Sequence, residues 1–412
     1  MQNSTRKNCL VVVAALIASA TLGTAMAATG SATAQATAKV TAAQSRSANR
    51  EAASTVLHRP PVPGDEVGGP LLARHGIVVQ YPGPGAPHLP DVPASAYVIA
   101  DAGTGAVLAA KDPHGLFQPA STLKVLTAIT MLPRLRPDAT VIATKRAASV
   151  EPNIIGLIAG HPYKIADLFR ALLMISANDA AVALVEASGS FSKGMSLLNA
   201  EAHHLQAYDV VAKHPNGLPA PGQDVSAYDL ALIARQALSM PAFMRYDSTR
   251  TAWFPLKRHE RVLMVNQNYL LTQYRGGLGG KIGWTTTAGA TYIGLARRHG
   301  VTLIVTILHA TPQTEVTSAE QLLDWGFAMS SAVRPVGVLV PPLPVVRAVT
   351  AGKQRARAAV GNSLPGATAT KSGRSAVIGV GVAAGLCACV IGGLAWLRRR
   401  ALRRARPGNP SG

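Results

Sequence analysis

The chain has 412 residues, 48% of them hydrophobic, and carries 40 Lys+Arg against 20 Asp+Glu, a net charge of +20. The surplus sits at the ends. Residues 91–330 hold 20 basic and 17 acidic residues, a near balance that argues against nucleic-acid binding there. Cys9, Cys387 and Cys389 are the three cysteines and all lie in terminal apolar stretches, so the middle has neither a disulfide framework nor a thiol nucleophile.

In chain order, Arg6 and Lys7 precede an apolar run from Leu10 to Ala20, and Ala25-Met26-Ala27 presents small residues at the positions a signal peptidase reads. Residues 1–27 are therefore expected to be a signal peptide, cut after Ala27. Residues 28–90 are rich in Ala, Thr, Ser, Gly and Pro without a sustained period, and read as a low-complexity tether. Residues 91–330 follow as one domain. Residues 331–374, with Pro341, Pro342 and Pro344, read as a basic, Pro-rich stalk. Ser375 to Leu397 is free of charge and long enough to cross a bilayer. Six arginines between Arg398 and Arg406 then favour the cytoplasmic side for residues 398–412. The expected topology is a single pass through a bacterial membrane, with the middle domain on the extracytoplasmic face.

Within the middle, residues 96–100 and 106–110 flank Asp101-Ala102-Gly103-Thr104-Gly105, a hairpin signal. Helical patterning spans Ser121 to about Leu132, Ile165 to Ile175, and Asp179 to Ala187. Strand-like runs follow over Gly280–Thr287, Ala290–Ala296 and Val301–His309. Thr317–Ser330 closes the domain at helical period, with Leu322, Leu323, Trp325, Gly326 and Phe327 near one stripe. A hairpin first, helices next, then a meander and a last helix predict an α+β domain. Its one antiparallel sheet sets early strands beside late ones under a cover of helices.

No Cys-rich zinc pattern is present, and His259-Glu260 lacks a second His at metalloprotease spacing. Adjacent His203 and His204 would diverge by about 100° on a helix. Neither a metal nor a cofactor is expected.

Ser121-Thr122-Leu123-Lys124 sets a serine and a lysine three apart, on one face of a helix, where a neutral amine can take the hydroxyl proton. Lysine titrates near about 10.4, so burial or a second cation must lower that value. The spacing alone is weak, since Ser4…Lys7 and Ser190…Lys193 repeat it. Ser176-Ala177-Asn178 has a copy in Ser47-Ala48-Asn49, and Lys281-Ile282-Gly283 a near copy in Lys371-Ser372-Gly373. Order distinguishes them: only Ser121, Ser176 and Lys281 fall within one globular stretch, at a helix start, a break between helices, and a glycine-flanked strand.

In that order the chain resembles the penicillin-recognising serine hydrolases, with their Ser-x-x-Lys, Ser-x-Asn and Lys-Thr/Ser-Gly motifs. Pro119–Lys124, Ser176–Ala181, Asn216-Gly217-Leu218, Ser226–Leu230, Asn266-Gln267-Asn268 and Lys281–Gly289 narrow the resemblance to the low-molecular-mass D-alanyl-D-alanine carboxypeptidases, over roughly residues 95–330. The resemblance implies a β-lactamase/transpeptidase-like fold. It implies peptidoglycan stem peptides as substrate and β-lactams as covalent inhibitors. Ser121 is then the nucleophile, Lys124 its base and Ser176 a proton relay. Asn178, Lys281, Gly283, Trp284 and Thr285 bind substrate, and the backbone N–H groups of Ser121 and Trp284 form the oxyanion hole. Ile282 departs from the pattern, standing where a hydroxyl side chain is understood to meet the substrate carboxylate. The fold is expected to be indifferent to that change.

Three other readings stay open on sequence. A transpeptidase or endopeptidase of the same fold differs only in cleft shape. A β-lactamase would need a deacylating glutamate, and no Glu-x-x-x-Asn segment follows Ser176. A non-catalytic wall-binding module would not need the intact Ser121/Lys124 pair.

Overall fold

The computed structural model describes residues 67–257 and 260–344. Strands β1 (Ile77–Val79), β2 (Ala94–Asp101) and β3 (Ala106–Lys111) come first. A 3-10 turn, Ala120–Leu123, runs into helix α1 (Lys124–Met131). Strands β4 (Thr140–Ile142) and β5 (Pro162–Lys164) pair around helix α2 (Lys145–Ala148). Helices α3 (Ile165–Met174), α4 (Asn178–Ala187), α5 (Phe191–His204), α6 (Ala227–Leu238) and α7 (Pro241–Asp247) follow. The hairpin β6 (Thr251–Pro255) and β7 (Arg261–Val265) and the short helix α8 (Leu270–Gln273) lead to β8 (Gly277–Thr285), β9 (Gly289–Arg298) and β10 (Val301–Ala310). Helix α9 (Glu315–Met329) and β11 (Gly337–Val338) close the described chain.

The main sheet has the order β1-β3-β2-β10-β9-β8, with β11 also on β3, and its pairs are antiparallel. The early hairpin and the late meander therefore meet at β2 and β10, as the sequence pattern predicts. Side-chain alternation explains why these two strands read as continuous apolar runs. Ala96, Val98 and Ala100 of β2 face one apolar cluster, shared with α1, α3, α4 and α6. Tyr97 and Ile99 face a second, shared with Leu322, Leu323 and Trp325 of α9. β10 divides the same way, Ile304 and Leu308 to the first cluster and Leu303, Val305 and Ile307 to the second. Both faces are covered, and the architecture is an α+β layered domain.

The domain is longer than the composition suggests. Residues 67–90, expected as the end of a tether, bury Leu72 in the first cluster and lay β1 along the outer edge of β3. Residues 331–344, expected as the start of a stalk, bury Val336 and Leu339 and place β11 on the same edge. Strands of two or three residues are too short to show a period, and together they cover an edge that would otherwise expose unpaired backbone. Packed structure therefore extends beyond 91–330 on both sides among the described residues. The segments expected as a signal peptide (1–27), as most of a tether (28–66), as the rest of a stalk (345–374), as a membrane span (375–397) and as a cytoplasmic tail (398–412) lie outside the described residues. Among the described residues, no helix is long and apolar enough to cross a membrane.

Candidate active site

Ser121 sits in the 3-10 turn, so its side chain stands at the entry of α1, and Lys124 begins the first α-helical turn. Ala120 just before it has φ +45, and Ser176, between α3 and α4, has φ +61. Left-handed conformations at non-glycine residues are strained and concentrate where a site demands them. Gly217 packs beneath the turn; a Cβ there would lie 1.7 Å from the Ala120 carbonyl oxygen.

Lys124 is fully buried, and its Nζ lies 2.8 Å from Ser121 Oγ, 2.7 Å from Asn178 Oδ1 and 2.8 Å from the Asn216 carbonyl oxygen. A neutral amine fits this set: two N–H groups donate to the two carbonyl oxygens, and the lone pair faces the Ser121 hydroxyl. Burial, and then the nearby Lys281, push the Lys124 amine well below the usual lysine range, while Asp179 pulls weakly the other way. Both physical conditions for a lysine base are thus present.

Asn178 is held by its own contacts, with Nδ2 donating to the Glu151 carbonyl at 2.8 Å and its backbone N–H donating to the Asn153 carbonyl at 2.7 Å. Asp179 beside it accepts from the N–H groups of Ile155, Gly156 and Leu157, at 3.1, 2.8 and 2.9 Å. This clamp ties the 151–157 loop to α4. Sequence reading took Asp179 only as part of a motif. Ser176 Oγ is buried and has no hydrogen-bond partner among the described residues, which leaves its hydroxyl available to a ligand.

β8 supplies the other wall. Lys281 is 2% exposed and donates to the Ile282 carbonyl at 2.6 Å; burial pulls it down to about 7, with Asp247 opposing. A Cβ at Gly283 would meet Ser121 N at 2.7 Å and Thr291 Oγ1 at 2.5 Å, so glycine is what lets β8 close against the nucleophile turn. Thr291 holds the same turn by donating to the Pro119 carbonyl. Trp284 is 57% exposed at the end of the strand, and Thr285 Oγ1 accepts from Ala288 N within the β8–β9 turn. Ile282 alternates to the opposite face and packs, half-buried, against the second apolar cluster. Isoleucine at 282 therefore leaves β8 and its pairing with β9 in place, as the sequence predicts.

The structure thus brings Ser121, Lys124, Asn178, Lys281 and Gly283 together. Ser190 turns out to cap α5, its hydroxyl accepting from Lys193 N at 3.1 Å, so that Ser-x-x-Lys spacing is a capping device. The other repeats of the motifs lie outside the described residues. Glu151 is exposed and meets Asn178 through its carbonyl alone, not its carboxylate. One His/Asp group missed in the sequence does assemble: His114, Asp209 and Asp229, with ligand atoms within 4.8 Å of one another. Its hydrogen bonds, from His114 to Asp209 and to the Val67 carbonyl, fasten the N-terminal segment.

The family model for D-alanyl-D-alanine carboxypeptidase matches residues 84–312, more than half of the chain. The chain belongs to that family. It is 36% identical over 252 residues to D-alanyl-D-alanine carboxypeptidase DacB2 of Mycobacterium tuberculosis, covering 60% of this chain and 86% of the relative. It is 28% identical to DacC of Escherichia coli, where the match spans 60% of this chain but 64% of the relative. Among solved structures, a D-alanyl-D-alanine carboxypeptidase of M. tuberculosis is similar at TM-score 0.60 and 35% identity, over 63% of this chain and all of the other. A mutant of a streptomyces DD-transpeptidase is similar at TM-score 0.55 and 26% identity, over 58% of this chain and 99% of the other. The site residues Ser121, Lys124, Ser176, Asn178, Lys281, Gly283, Trp284 and Thr285 all fall inside the matched 84–312 segment.

Proposed function

We propose that this protein is a serine D-alanyl-D-alanine carboxypeptidase that trims the terminal D-alanine from peptidoglycan stem pentapeptides. The single observation that carries the reading is the buried Lys124 amine, whose two carbonyl acceptors leave its lone pair to the Ser121 hydroxyl 2.8 Å away. Lys124 takes the Ser121 proton as Oγ attacks the carbonyl carbon of the penultimate D-alanine. The tetrahedral oxyanion is held by the N–H groups of Ser121 and Trp284, an effect of the kind that contributes about 3–4 kcal/mol per donor. Lys124, with Ser176 as relay, returns the proton to the leaving amine of the last D-alanine. Water then attacks the acyl-enzyme with Lys124 again as base, regenerating Ser121. Lys281 draws in the terminal carboxylate, and β-lactams acylate Ser121 through the same geometry.

The end segments complete the reading. Residues 1–27 direct export, and residues 375–397 anchor the protein in a bacterial membrane with the domain on the extracytoplasmic face. The support is the run of uncharged residues at 375–397 followed by six arginines. The similarity to a DD-transpeptidase favours one second reading, in which an amine replaces water in the deacylation step.

The test is covalent labelling by fluorescent penicillin together with D-alanine release from a pentapeptide, with and without an acceptor amine. Ser121→Ala is expected to abolish both signals and Ser190→Ala to leave both intact. Labelling that survives Ser121→Ala would sink the mechanism, and a product dominated by the amine adduct would favour the transpeptidase.

A further inference from the structure

Lys281 is a buried amine, and such a group stays charged only where something opposes the cost of desolvation. The opposing group is Asp247, at the C-terminal end of α7, itself 1% exposed. The chain makes room for it. A Cβ at Gly279 would lie 2.1 Å from Asp247 Oδ2, and Gly279 and Gly280 have φ +139 and +126 at a point where β8 and β9 shift register. In that gap Asp247 Oδ2 accepts from Gly280 N at 2.7 Å, one residue before Lys281. Asn266 Nδ2 fixes the end of the helix by donating to the Asp247 carbonyl at 2.8 Å. The second carboxylate oxygen, Oδ1, is buried without a hydrogen-bond partner among the described residues, and so is Asn268 Nδ2 on the adjoining loop.

We propose that Asp247 is a positioning residue for the cleft: its buried carboxylate, seated behind Gly279 and Gly280, sets the charge on Lys281 and through Lys281 the charge on Lys124. The titratable groups facing it are Lys281 on β8 and Tyr292 on β9, whose hydroxyl donates to Asn268 Oδ1. Burial raises the Asp247 carboxyl to about 7, with the Gly280 N–H and Lys281 opposing, while Asp247 is the group that opposes the fall of Lys281 to about 7. Near neutral pH the two groups therefore titrate as a pair. A charged Lys281 draws in the substrate carboxylate and lowers Lys124; a neutral Lys281 does neither. Because Asp247 touches no reacting atom, its effect reaches the chemistry only through these two amines.

The role builds on the acyl-enzyme reading above, yet the charge coupling is measurable without it. The decisive variant is Asp247→Asn, which keeps the shape and can still accept from Gly280 N. In the full-length protein, removing the carboxylate lets Lys281 lose its proton at lower pH, and the then-neutral Lys281 lets Lys124 keep its proton to higher pH. The bell of second-order penicillin acylation against pH should narrow from both sides, and at about pH 8.5 the rate should fall roughly tenfold for each unit moved. A purely structural role would lower the rate at every pH without changing the width of the bell. Titration of lysine Cε signals by NMR, with Lys281 assigned by its loss in Lys281→Met, should show Lys281 titrating near neutrality in the wild type and lower in Asp247→Asn. A wild-type Lys281 titrating at the ordinary lysine value, or an Asp247→Asn bell of unchanged width, would overturn the proposal. If the wild type is never acylated at any pH, the carboxypeptidase reading fails, and the NMR titration still decides whether Asp247 governs Lys281.

Discussion

Gly283→Ala is the substitution for which the structure gives the clearest magnitude. The new Cβ would lie 2.5 Å from Thr291 Oγ1 and 2.7 Å from Ser121 N, short by about 0.9 and 0.7 Å of the 3.4 Å where ordinary contact begins. Neither neighbour is free to move. Thr291 Oγ1 donates to the Pro119 carbonyl at 2.9 Å, and Ser121 is tied through Lys124 to Asn178 and Asn216. β8 must therefore retreat from the nucleophile turn. Overpacking of this kind costs about 1–3 kcal/mol, a loss of a few degrees in melting temperature. Under the proposed mechanism the larger effect is on catalysis, because the retreat of β8 from Ser121 N would disturb an oxyanion hole built from the Ser121 and Trp284 N–H groups. Loss of one such donor lowers rates by about 100- to 1,000-fold. Stopped-flow acylation by a chromogenic β-lactam, beside a thermal melt, measures both quantities. An acylation rate within about twofold of wild type, together with a lowered melting temperature, would refute this assignment of the oxyanion hole.

Other outcomes follow from the same geometry. Lys281 binds its proton in the unfolded chain up to the ordinary lysine value but in the folded protein only below about 7, so the unfolded state holds more protons between those limits and the stability from this group rises with pH. Thermal melts from about pH 7 to 9.5 should show that rise, and Lys281→Met should flatten it; an unchanged slope would mean that Lys281 is solvated. Ile282→Thr should cost about 1 kcal/mol through lost contacts in the second apolar cluster. It should leave penicillin acylation within about twofold of wild type, because the side chain at 282 points away from Ser121; a rise of about tenfold would show that residue 282 reaches the carboxylate. Deleting residues 375–412 should release active, soluble protein, and a truncated protein that still pellets with membranes after a high-salt wash would count against the anchor.

The parts of the domain legible in the sequence are those written in local patterns. β2, β3, β8, β9, β10 and α9 follow from apolar runs, glycine turns and one helical stripe, and Ser121, Lys124, Ser176 and Asn178 follow from short spacings. What escaped was set by distant partners. β1 and β11 are too short to carry a period, and only the exposed edge of β3 gives them a place. Helix α5 contains Gly194, two serines and paired histidines, and its interior is polar enough to read as loop. The Asn216 carbonyl that orients Lys124 comes from 92 residues away, and a backbone oxygen leaves no trace in a side-chain pattern. Asp247 reads as an ordinary helix-end acid until the Gly279–Gly280 gap brings β8 against it.

The substitution at residue 282 makes physical sense once the pleat of β8 is considered. Successive side chains of a strand point to opposite faces. Lys281 and Gly283 point toward Ser121 and Lys124, whereas Ile282, paired with Tyr292, joins the apolar cluster beneath α9. A β-branched apolar residue suits that place, on an edge strand whose other positions include four glycines between 277 and 283. The strand then gains packing at 282 where the family pattern carries a hydroxyl, and under the proposed mechanism carboxylate recognition falls to the Lys281 charge. That charge is not free-standing, because Lys281 is buried and depends on the carboxylate behind it. A cleft that relies on one amine for anion capture is thereby more sensitive to pH than one in which an uncharged hydroxyl shares the task, since a hydroxyl donates equally on either side of neutrality.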